Sequence, residues 1–268
     1  MIQVEGIFAG GGESKYKPYL TFISPYAFTV SVSTPGWDGT MEYSTDATTW
    51  TEWGGSEITS AIGVNDDAGY YVVYLRGTGN TVFVGGTVES ATGFTLDGMS
   101  IQCKGNIEML LDYATAEAGG HPSMGIKCFY NLFENCTALV APPELPAIEV
   151  SESSYTRMFF GCSHLVAAPK LPAETVAASG YAYMFAYCTS LVYLPVINAT
   201  SAEDFACMVM FGECSKIKLS TEADDEYTQP YKLSIDQNQN MFYNTGGTFT
   251  GEPTSNTTYY VSNTNIVV

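Results

Sequence analysis

The chain has 268 residues, room for more than one compact unit, and its 46% hydrophobic and 14% charged content describes a folded protein with a largely uncharged polar surface and excludes disorder. With 28 acidic residues against 10 basic ones, the formal net charge of −18 repels phosphate backbones, which excludes nucleic-acid binding. No stretch approaches the roughly 18 apolar residues of a membrane span, so no membrane insertion is expected.

In chain order, Met1 to Glu5 lacks the basic and apolar regions of an export signal. Residues 1–18, with Gly10-Gly11-Gly12, read as a tether or docking arm. Residues 19–98 change to short β-prone runs: Leu20 to Ile23, Phe28 to Val32, Met41 to Tyr43 and Trp50 to Trp53. Their spacing predicts an antiparallel, β-sandwich-like module. Tyr43 to Trp50 predicts one hairpin, and Gly77-Thr78-Gly79-Asn80, between Tyr70–Leu75 and Thr81–Val84, predicts a second. Trp37, Trp50 and Trp53 are candidates for a sugar-stacking platform, with core packing as the alternative. Trp50 and Trp53 have opposite parity and point to opposite faces of a regular strand.

Residues 99–127 are read as an N-terminal cap, with a short helix over Asn106 to Tyr113. Residues 128–245 then repeat. Phe133, Phe159, Phe185 and Phe211 recur every 26 residues. Each is followed three places later by Cys136, Cys162, Cys188 or Cys214, and three further on by Leu139, Leu165, Leu191 or Ile217. A degenerate fifth copy, Met241 to Thr245, is displaced by five residues and carries threonine for cysteine. Tyr155, Met158, Phe159 and Cys162 fall at i, i+3, i+4 and i+7, which predicts two turns of helix with one buried face. The proline-punctuated run Leu165 to Pro172 predicts an extended opposite wall. Residues 246–268 are a C-terminal cap, with closing strands at Tyr259 to Val261 and Ile266 to Val268. The fold class expected is therefore α+β: the β-sandwich-like module followed by a leucine-rich-repeat-type α/β solenoid of 26-residue period.

The pattern YxxMFxxCxxLxxxPxLP, complete from Tyr155 to Pro172, resembles the BspA-like branch of bacterial leucine-rich repeats, over roughly residues 128 to 245. The N-terminal β module is similar to those that precede such repeats in gut bacterial and phage-encoded proteins. The resemblance implies adhesion: attachment to host proteins or other cells. The expected protein is a non-catalytic surface recognition protein, displayed on a bacteriophage virion or exposed extracellularly on a bacterial cell. A purely structural virion decoration is the alternative. Its expected partners are a protein or glycan on a host cell surface, other virion proteins, and a second copy of itself in a homo-oligomer.

Seven cysteines suggest redox or metal chemistry, but four belong to the repeat core. Equivalent positions about 4.8 Å apart approach disulfide distance, yet buried free thiols are the expected state. With only His121 and His164 as imidazoles and no Cys/His zinc spacing, neither a metal nor a cofactor is expected. No residues show a catalytic arrangement. The variable positions of the extended wall, Glu144, His164, Lys170, Tyr193 and Val196, are the candidate contact residues.

Overall fold

The computed structural model describes residues 19–63, 67–85, 92–233 and 235–268. The expected arm over residues 1–18 lies outside them. The architecture is mostly β, in several small sheets of mixed sense.

Leu20–Ser24 is buried throughout and sits mid-sheet, antiparallel to Tyr71–Thr78 on one side and Ile101–Lys104 on the other. Alternation sends Leu20 and Phe22 into the main core and Ile23 to a smaller cluster with Val72 and Tyr74. Thr40–Ser44 and Thr51–Glu52 extend this sheet as the first expected hairpin, with Glu42 opposite Glu52. A second antiparallel sheet joins Ile58–Thr59, Thr29–Ser31 and Thr95–Asp97. Phe22 from the first sheet meets Phe94, beside the second, at 5.0 Å.

The second hairpin does not form. Tyr71–Thr78 runs through Gly77, and the amides of Phe83 and Val84 both donate to Cys128 O. Gly77 is required for a close approach: a Cβ there would lie 1.9 Å from Leu110 O. The cap region contains a 3₁₀ turn, Ile107–Leu110, with Asn106 as its N-cap, and a short α-helix, Tyr113–Glu117.

The expected α/β solenoid is corrected by the repeats themselves. No repeat contains a helix among the described residues. Where two helical turns were expected, the chain forms a ribbon of overlapping β-turns. In the first unit the amides of Tyr130, Leu132, Glu134 and Cys136 donate three residues back, to Lys127, Phe129, Asn131 and Phe133. The intervening amides leave the unit: Phe129, Asn131, Phe133 and Asn135 donate to Ser154, Thr156, Met158 and Phe160 of the next. The cause is a left-handed residue every fourth place: Lys127, Asn131 and Asn135 in this unit, and Ser153, Arg157 and Gly161 in the next. Such residues cannot continue an α-helix, and they turn alternate N–H groups outward to the neighbouring unit.

Stacking is therefore hydrogen-bonded as well as apolar. Phe133 N donates to Met158 O (2.8 Å), Phe159 N to Met184 O (2.9 Å) and Phe185 N to Met210 O (2.9 Å). The four repeat phenylalanines form one buried column, with centroids 5.3, 5.5 and 5.5 Å apart and planes within 6°. Phe94 extends it at one end (5.3 Å) and Phe242 of the displaced fifth copy at the other (5.4 Å). Each stacked pair contributes roughly 0.5–1.5 kcal/mol beyond area burial. Leu139, Leu165, Leu191 and Ile217 are fully buried beside it. Just before successive ribbons, Glu149–Val150, Thr175–Val176 and Ser201–Ala202 form a short parallel ladder. Leu139–Ala141 of the first unit pairs with Ile101–Lys104, so N-terminal strands and repeats share one sheet and one core.

Candidate recognition surface

The cysteines are structural. All seven are free and buried. The thiols of Cys162, Cys188 and Cys214 donate to the carbonyls of Phe133, Phe159 and Phe185 in the preceding unit, at 3.0, 3.1 and 3.0 Å. Cys136 makes the same bond to Phe94 O at 3.2 Å, which places Phe94 in the role of a preceding repeat. Burial pushes the Cys136 and Cys207 thiols up to about 12 and raises the others as well. At neutral pH none of them presents the thiolate that redox or metal chemistry needs. In the fifth copy Thr245 instead bonds Phe242 O of its own unit, at 3.1 Å.

The tryptophans are not assembled into a platform. Trp53 is buried, stacks on Trp37 at 5.3 Å and donates from Nε1 to Ser56 O. Trp50 packs edge-on to Tyr19, and the Arg76 guanidinium covers it at 4.0 Å. Along the extended wall Glu144, Lys170 and Val196 are exposed at equivalent heights, as is His164, whose Nδ1 lies 2.8 Å from Thr137 O. Near Val196 the wall is occupied by the chain itself. Ile266–Val267 pairs in parallel with Tyr193–Leu194, and Val196 N donates to Val268 O.

The opposite face, made by the turn ribbons, holds an open groove of about 430 Å³. It crosses four units: Arg157 and Phe160 come from one, Tyr183 and Tyr187 from the next, Val209 and Glu213 from the third, and Asn240 and Tyr243 from the displaced copy. Tyr187 and Tyr243 are about half exposed. The Phe160 and Tyr187 rings lie 5.1 Å apart, tilted by 57°. Arg157 lies over Phe160 at 4.0 Å while pairing with Glu134. Glu213 is oriented by Asn244 Nδ2, which donates to its Oε2 at 2.7 Å.

Six of the eight lining residues occupy the left-handed turn positions, at φ between 50° and 64°. Elsewhere in the ribbon these positions hold Asn131, Asn135, Gly161 and Asn244, which suit them, and also Lys127, Ser153, Ser179 and Phe205. In the groove they are Arg157, Tyr183, Tyr187, Val209 and Glu213, side chains that cost on the order of 1–2 kcal/mol each in this conformation. Sequence periodicity hid this surface because the expected helix assigned these places to an unremarkable solvent face. The readable signal was the run of large side chains at equivalent places in successive units: Arg157, Tyr183 and Val209, and Tyr187 and Glu213.

One pair resembles catalytic machinery. His121 Nδ1 lies 3.0 and 3.2 Å from the two carboxylate oxygens of the buried Glu108. Desolvation raises the Glu108 pKa against the opposing pull of His121 and Asn106. No hydroxyl or thiol is bonded to the other imidazole nitrogen among the described residues, so the pair clamps the cap. Among these residues no three His, Cys, Asp or Glu side chains are grouped to hold a metal, and no helix is long and apolar enough to cross a membrane. The acidic segment Asp224-Asp225-Glu226 is a turn in which Asp224 Oδ1 accepts from the amides of Glu226 and Tyr227.

No protein-family model, curated protein or solved structure matches this chain.

Proposed function

We propose that this protein is a non-catalytic recognition module that attaches its carrier, a virion or a cell, to a host surface through the turn-ribbon groove. The observation that carries the reading is the cluster of aromatic, basic and acidic side chains that four successive units bring to one surface. Left-handed sites that Asn or Gly fill without penalty hold Arg157, Tyr183, Tyr187, Val209 and Glu213 at one surface. The adhesion role implied by the repeat motif agrees with it. A rigid, hydrogen-bonded stack suits such a role, because the groove is already formed and little ordering entropy is lost on binding.

The test is binding of the labelled full chain to a panel of gut bacteria and epithelial cells, read by flow cytometry. Saturable binding that disappears in the Tyr187→Asn/Tyr243→Ala double variant is expected. Binding that the double variant leaves unchanged removes the groove from the reading, and binding to no surface removes the reading itself.

A further inference from the structure

Resting on that reading, we infer that the groove takes an uncharged, linear oligosaccharide laid along the stack, with one sugar ring for each repeat unit. Three features of the surface lead to this ligand class.

The first is pitch. Consecutive units are spaced at 5.3 to 5.5 Å, as measured on the phenylalanine column. This is close to the length one pyranose adds to an extended glycan, and four successive units of the stack line the groove. A peptide advances by a shorter step, about 3.3 Å per residue when extended.

The second is the chemistry of the lining. Rings of Tyr183, Tyr187 and Tyr243 line the groove together with the polar groups of Arg157, Glu213 and Asn240, and the Arg157 guanidinium covers Phe160. A sugar has an apolar C–H face and a rim of hydroxyls that both donate and accept, which matches aromatic surface bordered by a guanidinium, a carboxylate and an amide. The ribbon backbone at this face is largely paired within the stack. The amides of Arg157, Tyr183 and Val209 are committed to Ala182, Met208 and Gln239 of the following units. Such pairing disfavours addition of a strand and favours recognition by side chains.

The third is charge. Arg157 is paired with Glu134, Glu213 brings a further carboxylate, and the chain as a whole carries −18. Sulfated, sialylated or phosphate-bearing chains are repelled from such a surface, so the ligand is neutral.

The test uses the full chain in two arms. In the first, cellohexaose, mannohexaose and chitohexaose are titrated by calorimetry, with a heparin hexasaccharide as the anionic comparator. At least one neutral hexasaccharide is expected to bind and heparin is not. Tyr187→Asn and Tyr243→Ala are each expected to weaken binding on the order of tenfold. Tyr26→Ala, an exposed tyrosine of the N-terminal module, leaves it unchanged. Asn suits the left-handed conformation at residue 187, so an unaltered thermal transition will show that the variant is folded.

In the second arm, cells that bind the chain are treated with periodate or with protease before binding is measured. Loss after periodate and survival after protease support the inference. Loss after protease and survival after periodate, with no neutral hexasaccharide bound, overturns the ligand class while leaving the recognition function standing. Preference for heparin also overturns it. Failure to bind any cell or glycan overturns both.

Discussion

Removing His121 should expose the cost of the carboxylate it covers. Glu108 sits in the 3₁₀ turn of the cap with only 1% of its side chain exposed, and both its oxygens face His121 Nδ1. Breaking a buried ion pair from one side costs roughly 3–5 kcal/mol. The His121 side chain is 38% exposed, and solvent screening reduces the expected loss for His121→Ala to about 1–2 kcal/mol. The pH dependence identifies the cause. The folded Glu108 pKa lies above its ordinary 4.5 because burial disfavours the charged form. A group raised on folding favours the folded state fully below its unfolded pKa, and that contribution is lost as pH rises through the folded value. His121→Ala removes the opposing pull, so its destabilisation should be small where Glu108 is protonated and grow as pH rises through the folded Glu108 value. Glu108→Gln should flatten the local dependence, and the double variant should show little further effect of removing His121. Urea denaturation of the four proteins across this range measures all of these differences. A His121→Ala loss of equal size at every pH would refute the assignment, because truncation of packing alone has no such profile.

Two further outcomes follow from the core. Phe185→Leu removes a ring stacked on both sides at 5.5 Å and should cost about 2 kcal/mol; a double-mutant cycle with Phe159→Leu should return a coupling of about 1 kcal/mol, and none if the rings merely fill volume. The native chain should resist Ellman's reagent at neutral pH and react at all seven cysteines in denaturant; rapid labelling of any repeat cysteine in the native state would contradict the burial that raises its pKa.

The stacking of the repeat was legible in the sequence and its local conformation was not. A 26-residue recurrence of Phe and Cys requires equivalent residues to meet across units, whatever backbone carries them. The spacing of Tyr155, Met158, Phe159 and Cys162 fits a helix of 3.6 residues per turn, and it fits a four-residue turn ribbon equally well. Over two turns the periods do not separate, so hydrophobic spacing alone could not decide. Asn131, Asn135, Gly161, Asn240 and Asn244 could have decided it, being residues that accept a left-handed backbone at four-residue steps. The failed hairpin at Gly77 has a similar root. Its glycine was read as a turn former, whereas it admits the Leu110 carbonyl against a continuous strand. The Trp37, Trp50 and Trp53 platform failed because aromatic content does not tell which rings the core will take.

The difference between the two conformations also bears on function. On an α-helix, side chains four apart drift around the axis, and a helix satisfies its own amides, so neighbouring repeats are held in register only by packing. The turn ribbon sends every second amide to the next unit, which locks neighbours at hydrogen-bond distance and fixes the height of every outward residue. Arg157, Tyr183 and Val209 thus occupy one column, and Tyr187 and Glu213 a second beside it. Ligand contacts placed this way need no induced closure and cost little entropy to order. The same lock makes the surface simple to vary. Each outward position can change its side chain without disturbing the buried phenylalanine column, at a backbone cost of about 1 kcal/mol when Asn or Gly is replaced. A scaffold with this separation between a constant interior and an independently adjustable face can change what it displays while keeping its fold.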